Sequence, residues 1–220
     1  RVPGSRTSLD RERAAGADVR AVYSPLDALA IAAATGKETV FLAVGFETTA
    51  PAIAAALLKA RERKIANFSL LTALRLVPPA LQALTVAAPR RGARLAGFLL
   101  PGHVSAIIGP PAYGFLAERG LPGVIAGFGA GEIIASLLLL LEMIATGAKR
   151  VVNNYPAVMR PGGNEKSRAV MDAVFAPADA EWRGLGMIPA SGLELRPEFA
   201  PFDARRRFAV SAEGAPPRKG

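Results

Sequence analysis

Cysteine is absent from the 220-residue chain, and histidine is almost absent, because His103 is the only one. Without thiols, these residues cannot form disulfide bonds, thiolate zinc sites, thiol nucleophiles or cysteine-held iron–sulfur clusters. A single histidine does not complete a closed metal site, since such a site needs about four protein ligands. The composition therefore excludes these classes of site for these residues, and it leaves the redox compartment undecided.

Aromatic residues and acidic charge are both scarce. Aromatics make up 6% of the chain, and 27 Lys and Arg stand against 18 Asp and Glu, which gives a formal net charge of +9. A basic balance can attract nucleic acid. Here, however, the positive side chains are scattered over helix ends and loops, with no interleaved basic and aromatic stripe. We predict a solvated basic surface and no specific nucleic-acid partner.

Long apolar runs are missing as well. The longest, residues 133–141, lies between Glu132 and Glu142 and is too short to span a bilayer. The first residues lack the apolar segment of a signal peptide, so we expect a cytoplasmic protein with no membrane partner. Hydrophobic residues nevertheless make up 51% of the chain, which is enough for a sizeable core.

Short apolar runs alternate along the chain with stretches of helical periodicity. The predicted strands are 19–23, 40–44, 68–71, 97–100, 123–126 and 151–152. The predicted helices are 25–35 with Ser24 as its N-cap, 52–63, the segment that begins at 78, 113–119, 132–145 and 164–174. Such alternation is typical of parallel βαβ units. We predict an α/β fold with two similar lobes, mostly parallel sheets flanked by helices, and a cleft between the lobes.

The two lobes are predicted from similar successions of elements on either side of a basic loop at 89–94. The first lobe covers residues 1–75 and is incomplete at its N-terminus, and the second covers 76–195. Residues 196–220 form a C-terminal extension that is partly disordered. Within the second lobe and the extension, residues 181–202 mix short apolar stretches with Gly and Pro and indicate no regular element.

The strand 40–44 and the turn after it organise the first lobe. The turn and the helix start carry Gly45, Phe46, Glu47, Thr48, Thr49 and Pro51. A threonine can cap the helix, and Pro51 fits its first turn. Ligands of open α/β sheets bind at the carboxyl ends of strands, and a carboxylate there suits a hydrogen-bond donor, a cation or a metal-held species. The alternative is structural, with Glu47 accepting backbone N–H bonds in a helix-capping box.

A second polar turn occupies the matching place after strand 97–100. It consists of Pro101, Gly102, His103, Val104 and Ser105. A lone histidine is more often structural than a ligand, but its place at the carboxyl end of a strand makes both roles about equally expected. If the lobes face each other, the side chains of Glu47 and His103 point into the same cleft. Neither motif predicts a catalytic residue or a complete metal site.

Taken together, these two motifs resemble those of the hydrogenase maturation family HypD. Further matches, in the family's order, lie at 1–4, 22–28, 107–109, 181–186 and 191–192, and the resemblance extends to about Phe208. It implies two α/β lobes around a cleft, plus a small iron–sulfur domain. It also implies a scaffold that works with HypC-like and HypE-like partners. On that scaffold the iron of [NiFe]-hydrogenase receives its cyanide and carbonyl ligands, as an Fe(CN)2CO group.

The chain departs from the family pattern at several places. A family histidine is Leu74 here, an acidic residue is Gly129, and an arginine is Ala157. The cysteines on which the family's iron and redox chemistry depends have no counterpart, so we expect no iron–sulfur cluster in these residues and either a fragment or a natural truncated copy. The resemblance thus implies an incomplete maturation scaffold more than an independent enzyme. A small-molecule-binding α/β protein and an inactive fragment remain the alternatives.

Overall fold

In the computed structural model of the chain, residues 7–90, 92 and 94–208 are described. Their strands are β1 Thr39–Gly45, β2 Phe68–Arg75, β3 Phe98–Pro101, β4 Gly123–Ala126, β5 Val151–Asn153, β6 Phe175–Trp182 and β7 Gly186–Leu195. Their α-helices are α1 Leu9–Ala14, α2 Pro25–Thr35, α3 Ala50–Glu62, α4 Val77–Arg90, α5 Gly102–Ile108, α6 Gly114–Glu118, α7 Ala130–Thr146, α8 Glu165–Val174 and α9 Ala204–Arg207. Short 3₁₀ turns cover Pro110–Tyr113 and Pro197–Phe202.

Helix α2 illustrates how local sequence sets an element. The Ser24 side chain accepts a hydrogen bond from the backbone at the helix start, and the Asp27 carboxylate accepts one from the Ser24 N–H at 3.0 Å. This capping box satisfies N–H groups that have no partner inside the helix. Gly36 ends the helix with φ 64°, a left-handed conformation that glycine adopts without strain. The predicted helix 25–35, with Ser24 as its N-cap, is therefore confirmed.

The first sheet has the strand order β1-β2-β7-β6. Strands β1 and β2 are parallel and in register from Thr39 opposite Phe68 to Gly45 opposite Leu74. Strand β7 joins the end of β2 in antiparallel orientation and forms a hairpin with β6. Side chains of α2, α3 and α8 bury the main core against this sheet.

The second sheet is parallel throughout, in the order β3-β4-β5. Successive residues of β4 point to opposite faces, as the two-residue period of a strand requires. Ile125 packs on one face with Leu100 and Tyr113, and Val124 packs on the other with Leu140 of α7. The second sheet is parallel throughout, the first contains one parallel pair, and helices flank both, which confirms the predicted α/β class.

Several predicted elements differ from the structure. Residues 19–23 form no strand, and Tyr23 is fully exposed. The hairpin of β6 and β7 was not predicted, and residues 175–195 pair with the first sheet although the sequence assigned them to the second lobe. The physical reason is burial, because Phe175 and Leu193 enter the core of the first sheet. The division into lobes itself stays a prediction.

Some expectations lie outside the described residues. These are the motif at 1–4, two residues of the basic loop, 91 and 93, and the tail 209–220 that was predicted to be disordered. Among the described residues, no helix is long and apolar enough to cross a membrane.

Candidate functional site

The turn after β1 has a backbone that only glycine fits. Gly45 has φ 152°, and a Cβ there would lie 2.6 Å from Thr49 Oγ1. Thr49 occupies the N-cap position of α3 but makes no side-chain capping bond, while Pro51 lies in the first turn as predicted. The prediction that a threonine side chain caps α3 is therefore wrong, because the Thr49 hydroxyl lies against Gly45.

Glu47 is almost completely buried, at 1% exposure. Its Oε1 accepts a hydrogen bond of 2.8 Å from the N–H of Val77, the first residue of α4, and its Oε2 is buried without a hydrogen-bond partner. Burial raises the pKa of the Glu47 carboxyl, and its bonds to backbone N–H groups, including that of Val77, oppose the rise. Glu47 thus ties the turn after β1 to a helix that begins 30 residues later, rather than capping α3.

Phe46 connects the same turn to the unpredicted hairpin. Its ring lies 6.2 Å from the ring of Trp182, measured between centroids. The Trp182 indole N–H donates to Ser191 Oγ at 2.8 Å, and the Ser191 carbonyl accepts from Leu76 N–H at 2.8 Å. Residues that are distant in sequence therefore meet around the first motif. Trp182 and Ser191 belong to the matching segments 181–186 and 191–192, but nothing in the sequence places them beside Phe46.

The second motif also requires close backbone approach. A Cβ at Gly102 would run into the carbonyl oxygen of Ala126 at the end of β4. Val104 and Ser105 are buried. Ser105 Oγ donates to the Pro101 carbonyl at 2.8 Å and lies 3.2 Å from the hydroxyl of Tyr113. The motif thus begins α5 directly after β3 and holds it against β4.

Tyr113 is the residue of this region that sequence reasoning missed. It is fully buried, and burial raises the pKa of its phenol to about 12, with a smaller contribution in the same direction from the charge of Glu47. A buried tyrosine normally needs a hydrogen-bond partner, and Ser105 provides it. The phenol of Tyr113 therefore contacts the second motif directly, through Ser105. A glycine- and proline-rich segment gave no signal for this position.

His103 is exposed at the carboxyl edge of the second sheet. Its ring centroid lies 4.5 Å from that of Phe128, which follows β4, and 6.2 Å from that of Tyr155, which follows β5. Three consecutive strand ends therefore contribute one ring each. Phe128 itself is 57% exposed, so the imidazole and its neighbour form an accessible aromatic surface.

Glu47 and His103 differ in their surroundings. Glu47 is buried and held by Val77, whereas His103 is exposed and lies against aromatic rings. Among the described residues, no hydrogen bond or ion pair joins them. Tyr113 contacts the second motif through Ser105, and the charge of Glu47 adds a small contribution to the raised pKa of its phenol.

Metal-binding capacity is small in the described part of the chain. No group of three or more His, Cys, Asp or Glu side chains there could hold a metal ion. A groove of about 490 Å³ lies along β1, lined by residues of α2, β1 and the segment 18–22, away from both motifs. The motif residues therefore form a packed, polar region rather than a ready-made metal centre.

Comparison with known proteins gives the context for these motifs. The family model HypD, described as "Hydrogenase formation hypA family", matches residues 1–220. The chain belongs to the HypD family. Relatives named hydrogenase maturation factor HypD include one from Rhodobacter capsulatus, 44% identical over 97% of this chain and 57% of the relative. Another, from Escherichia coli (strain K12), is 39% identical over 94% of this chain and 56% of the relative. The chain thus spans a little over half the length of these HypD relatives.

The three departures from the HypD pattern lie in different environments. Leu74 is fully buried in the core of the first sheet, and Ala157 is exposed. Gly129 precedes α7, and its N–H donates to the Glu132 carboxylate at 2.8 Å. The turn without an acid at 129 therefore still carries a carboxylate, supplied from the first turn of α7.

Proposed function

We propose that this chain is the α/β core of a hydrogenase maturation factor, acting as a scaffold on which an Fe(CN)2CO group is assembled. The observation that carries the proposal is the packing of both HypD motifs at strand ends, with Glu47 and Ser105 buried and His103 left exposed beside aromatic rings. A scaffold for a reactive group needs side chains held by a packed surrounding. The buried carboxyl of Glu47 and the buried Ser105 supply that rigidity.

Iron is the cargo in this proposal, and the chain positions it without binding it alone. The described residues hold no cluster of metal-ligating side chains, and the whole chain has no cysteine. Thiolate ligands would therefore come from outside these 220 residues. His103 would contribute an N–H donor to a diatomic ligand such as cyanide, and HypC-like and HypE-like proteins would deliver the iron and the cyanide. This division of labour favours a scaffold over an independent enzyme.

A chimera tests the proposal. The chain would replace the matching part of the E. coli relative, which is 39% identical, in cells that lack that protein, and hydrogenase activity would be measured. We expect activity well above the empty-vector level, and about tenfold less for the chimera with His103→Ala. A matched control is Val158→Ala, another exposed residue in a loop, which should keep activity. A soluble chimera without activity would reject the proposal.

The competing function is a small-molecule-binding α/β protein. The groove along β1, about 490 Å³ in volume, falls in the range of ligand pockets and is the observation that favours it. Native mass spectrometry of the purified chain distinguishes the two. A retained nucleotide or metabolite would favour the small-molecule reading, whereas an added HypC-like protein retained at one-to-one stoichiometry would favour the scaffold.

A further inference from the structure

Strand β1 forms an open edge of the first sheet. The strand order β1-β2-β7-β6 gives it one neighbour, β2, among the described residues. The Thr39 N–H donates to the Asn67 carbonyl at 2.8 Å, and the backbone groups of a parallel strand point alternately to its two sides. Thr39 and every second residue after it therefore bond to β2. The N–H and C=O groups of Val40, Leu42 and Val44 point outward from the edge.

The sequence of β1 does nothing to protect this edge. Native sheets usually blunt an exposed edge with proline, charged residues or a bulge. The opposite edge strand, β6, has Pro177 and a β-bulge shortly after it. Strand β1 has seven residues and none of these devices, and the side chains of Val40, Leu42 and Val44 are between 40% and 57% exposed. Strand β1 therefore remains able to pair with a further strand.

The groove along β1 has the cross-section of one strand. It lies beside residues 39–42, and its other walls are side chains of α2, such as Ile31, and of the segment 18–22, such as Val22. Four residues of a strand extend over about 13 Å, so the groove volume of about 490 Å³ corresponds to a mean cross-section of about 40 Å². One strand in a layered protein occupies ~4.8 Å by ~10 Å, an area of about 50 Å². The groove therefore has room for one extended backbone beside β1.

The charged side chains at the rim of the groove are already paired. Asp18 lies 2.7 Å from Arg20 and 3.9 Å from Lys37. Glu38 lies 2.7 Å from Arg207. The interior is left to the apolar side chains of the walls. A strand that enters the groove should therefore have apolar residues on both faces, as internal strands of parallel sheets do.

We propose that the groove along β1 binds one apolar, extended peptide segment as an added strand, and that this segment belongs to the part of a HypD polypeptide that the 220 residues do not contain. When a peptide adds to a free sheet edge, main-chain hydrogen bonds supply the affinity. The match with the Rhodobacter capsulatus relative covers 57% of that relative, which leaves about two fifths of it as the source of the segment. A second copy of the chain does not supply the strand, because its own β1 is recessed between the same walls. The inference rests on the family and the groove, not on the proposed scaffold role.

Synthetic peptides test the source of the strand. Overlapping peptides of about 12 residues, long enough for one strand, would cover the unmatched part of the R. capsulatus relative, each with terminal lysines for solubility. Their binding to the unchanged chain would be measured by fluorescence anisotropy. We expect saturable binding by consecutive peptides from one apolar stretch and none by the others. If no peptide bound, the proposal would be overturned.

Amide hydrogen exchange, measured by NMR, tests where the peptide binds. In the unchanged chain the outward N–H groups of Val40 and Leu42 should exchange faster than those of Phe41 and Ala43, which bond to β2. A bound peptide should slow the exchange of the outward pair at least about tenfold and leave the other pair unchanged. Slow exchange of the outward pair without any peptide would show that the edge is already occupied and would overturn the proposal. A bound peptide that left this pair unchanged would overturn it as well.

Two substitutions at position 42 separate the backbone from the side chain. Leu42→Pro removes an outward N–H and keeps the bonds to β2, since proline is tolerated on an edge strand when its nitrogen faces away from the sheet. It should weaken peptide binding at least about tenfold, whereas Leu42→Ala, the matched control, keeps the N–H and should weaken binding less. Equal losses would overturn the proposal.

N-methylated peptides give the same test if Leu42→Pro does not fold. Methylation of the backbone nitrogens at every second residue should abolish binding in one phase, in which those nitrogens face β1, and should spare binding in the other phase. Equal loss of binding in both phases would show that the peptide does not pair as a strand and would overturn the proposal.

Discussion

At the scale of single residues, Glu47 carries its carboxyl in a buried position. One oxygen caps the start of α4, and the other lies buried without a partner among the described residues. An ionised carboxylate in such a place is disfavoured unless hydrogen bonds compensate. The positive end of α4 compensates only in part, so the pKa of Glu47 is raised.

The raised pKa of Glu47 predicts a pH dependence of stability. The protonated Glu47 carboxyl stabilises the folded chain fully below the pKa of this carboxyl in the unfolded chain, near 4.5. This stabilisation is lost as pH rises through the pKa of Glu47 in the folded chain, because the unfolded chain releases the proton more easily. Replacing Glu47 by Gln removes this dependence. In urea unfolding, the variant should gain stability relative to the unchanged chain between pH 4.5 and pH 7. Glu142→Gln, at an exposed position of α7, is the control. If the Glu47→Gln variant instead became less stable than the unchanged chain as pH rises, the prediction would be contradicted.

The hydroxyl of Tyr113 predicts a small but measurable contribution to stability. Tyr113→Phe removes its hydrogen bond to Ser105 Oγ and leaves the ring packed, so unfolding should become easier by about 1 kcal/mol. Ser105→Ala should cost more, because it also removes the hydrogen bond to the Pro101 carbonyl. The double variant should cost less than the sum of the two single variants, because one bond is shared. Guanidinium unfolding of the three variants measures this. Strict additivity would show that the two hydroxyls do not interact.

At the scale of elements, the structure divides what sequence can predict from what it cannot. Helix α2 was predictable because its caps, Ser24 and Gly36, lie within the helix's own sequence. The hairpin of β6 and β7 was not, because Pro177 and Pro189 normally argue against strands and its partner β2 lies about 100 residues earlier. In the candidate site, likewise, local features were predictable from the sequence and long-range contacts were not. Both motifs were located correctly at strand ends, but the contact of Glu47 with Val77 depends on folding over 30 residues.

The turn between β1 and α3 gives a prediction about how Gly45 contributes to stability. Gly45→Ala combines a disfavoured φ of 152° with a clash against Thr49, so it should destabilise the chain by about 3 kcal/mol. Gly36→Ala is the matched control. Its φ is 64° and nothing lies within 4 Å of the new Cβ, so only about 1 kcal/mol of conformational strain is expected. Thermal unfolding compares them, and an equal loss in both would show that Thr49 does not matter.

At the scale of the whole molecule, part of the basic charge has a structural use. The sequence predicted a solvated basic surface, but Arg207 donates to the Ala66 carbonyl at 2.6 Å and to both Glu38 oxygens at 2.7 Å. Arg205 donates to the Thr72 carbonyl at 2.7 Å. The segment after β7 is thereby fastened along the first sheet. For these two arginines the prediction of a purely solvated surface is wrong.

This fastening predicts unequal effects within one run of arginines. Arg207→Ala should lower the free energy of unfolding by about 1 kcal/mol, because a backbone carbonyl loses its partner along with a surface ion pair. Arg206 is the control, since its side chain is 70% exposed and forms a surface ion pair with Asp203 at 3.5 Å, and Arg206→Ala should be nearly neutral. Urea unfolding of both variants at moderate salt measures the two free energies of unfolding. Equal effects would mean that the contacts of Arg207 contribute nothing.

The strand order of the first sheet also governs how the chain becomes folded. Strands β3, β4 and β5 of the second sheet all occur between β2 and β6, so one sheet is inserted in the sequence of the other. During synthesis from the N-terminus, the inserted sheet has all its strands before the outer sheet has its last two. Closing the outer sheet requires contacts of high sequence separation, which form slowly. The second sheet of the ribosome-bound chain should therefore become resistant to protease first. Until β7 has been synthesised, β2 lacks its antiparallel partner and its edge stays unpaired, and during this period aggregation competes with folding.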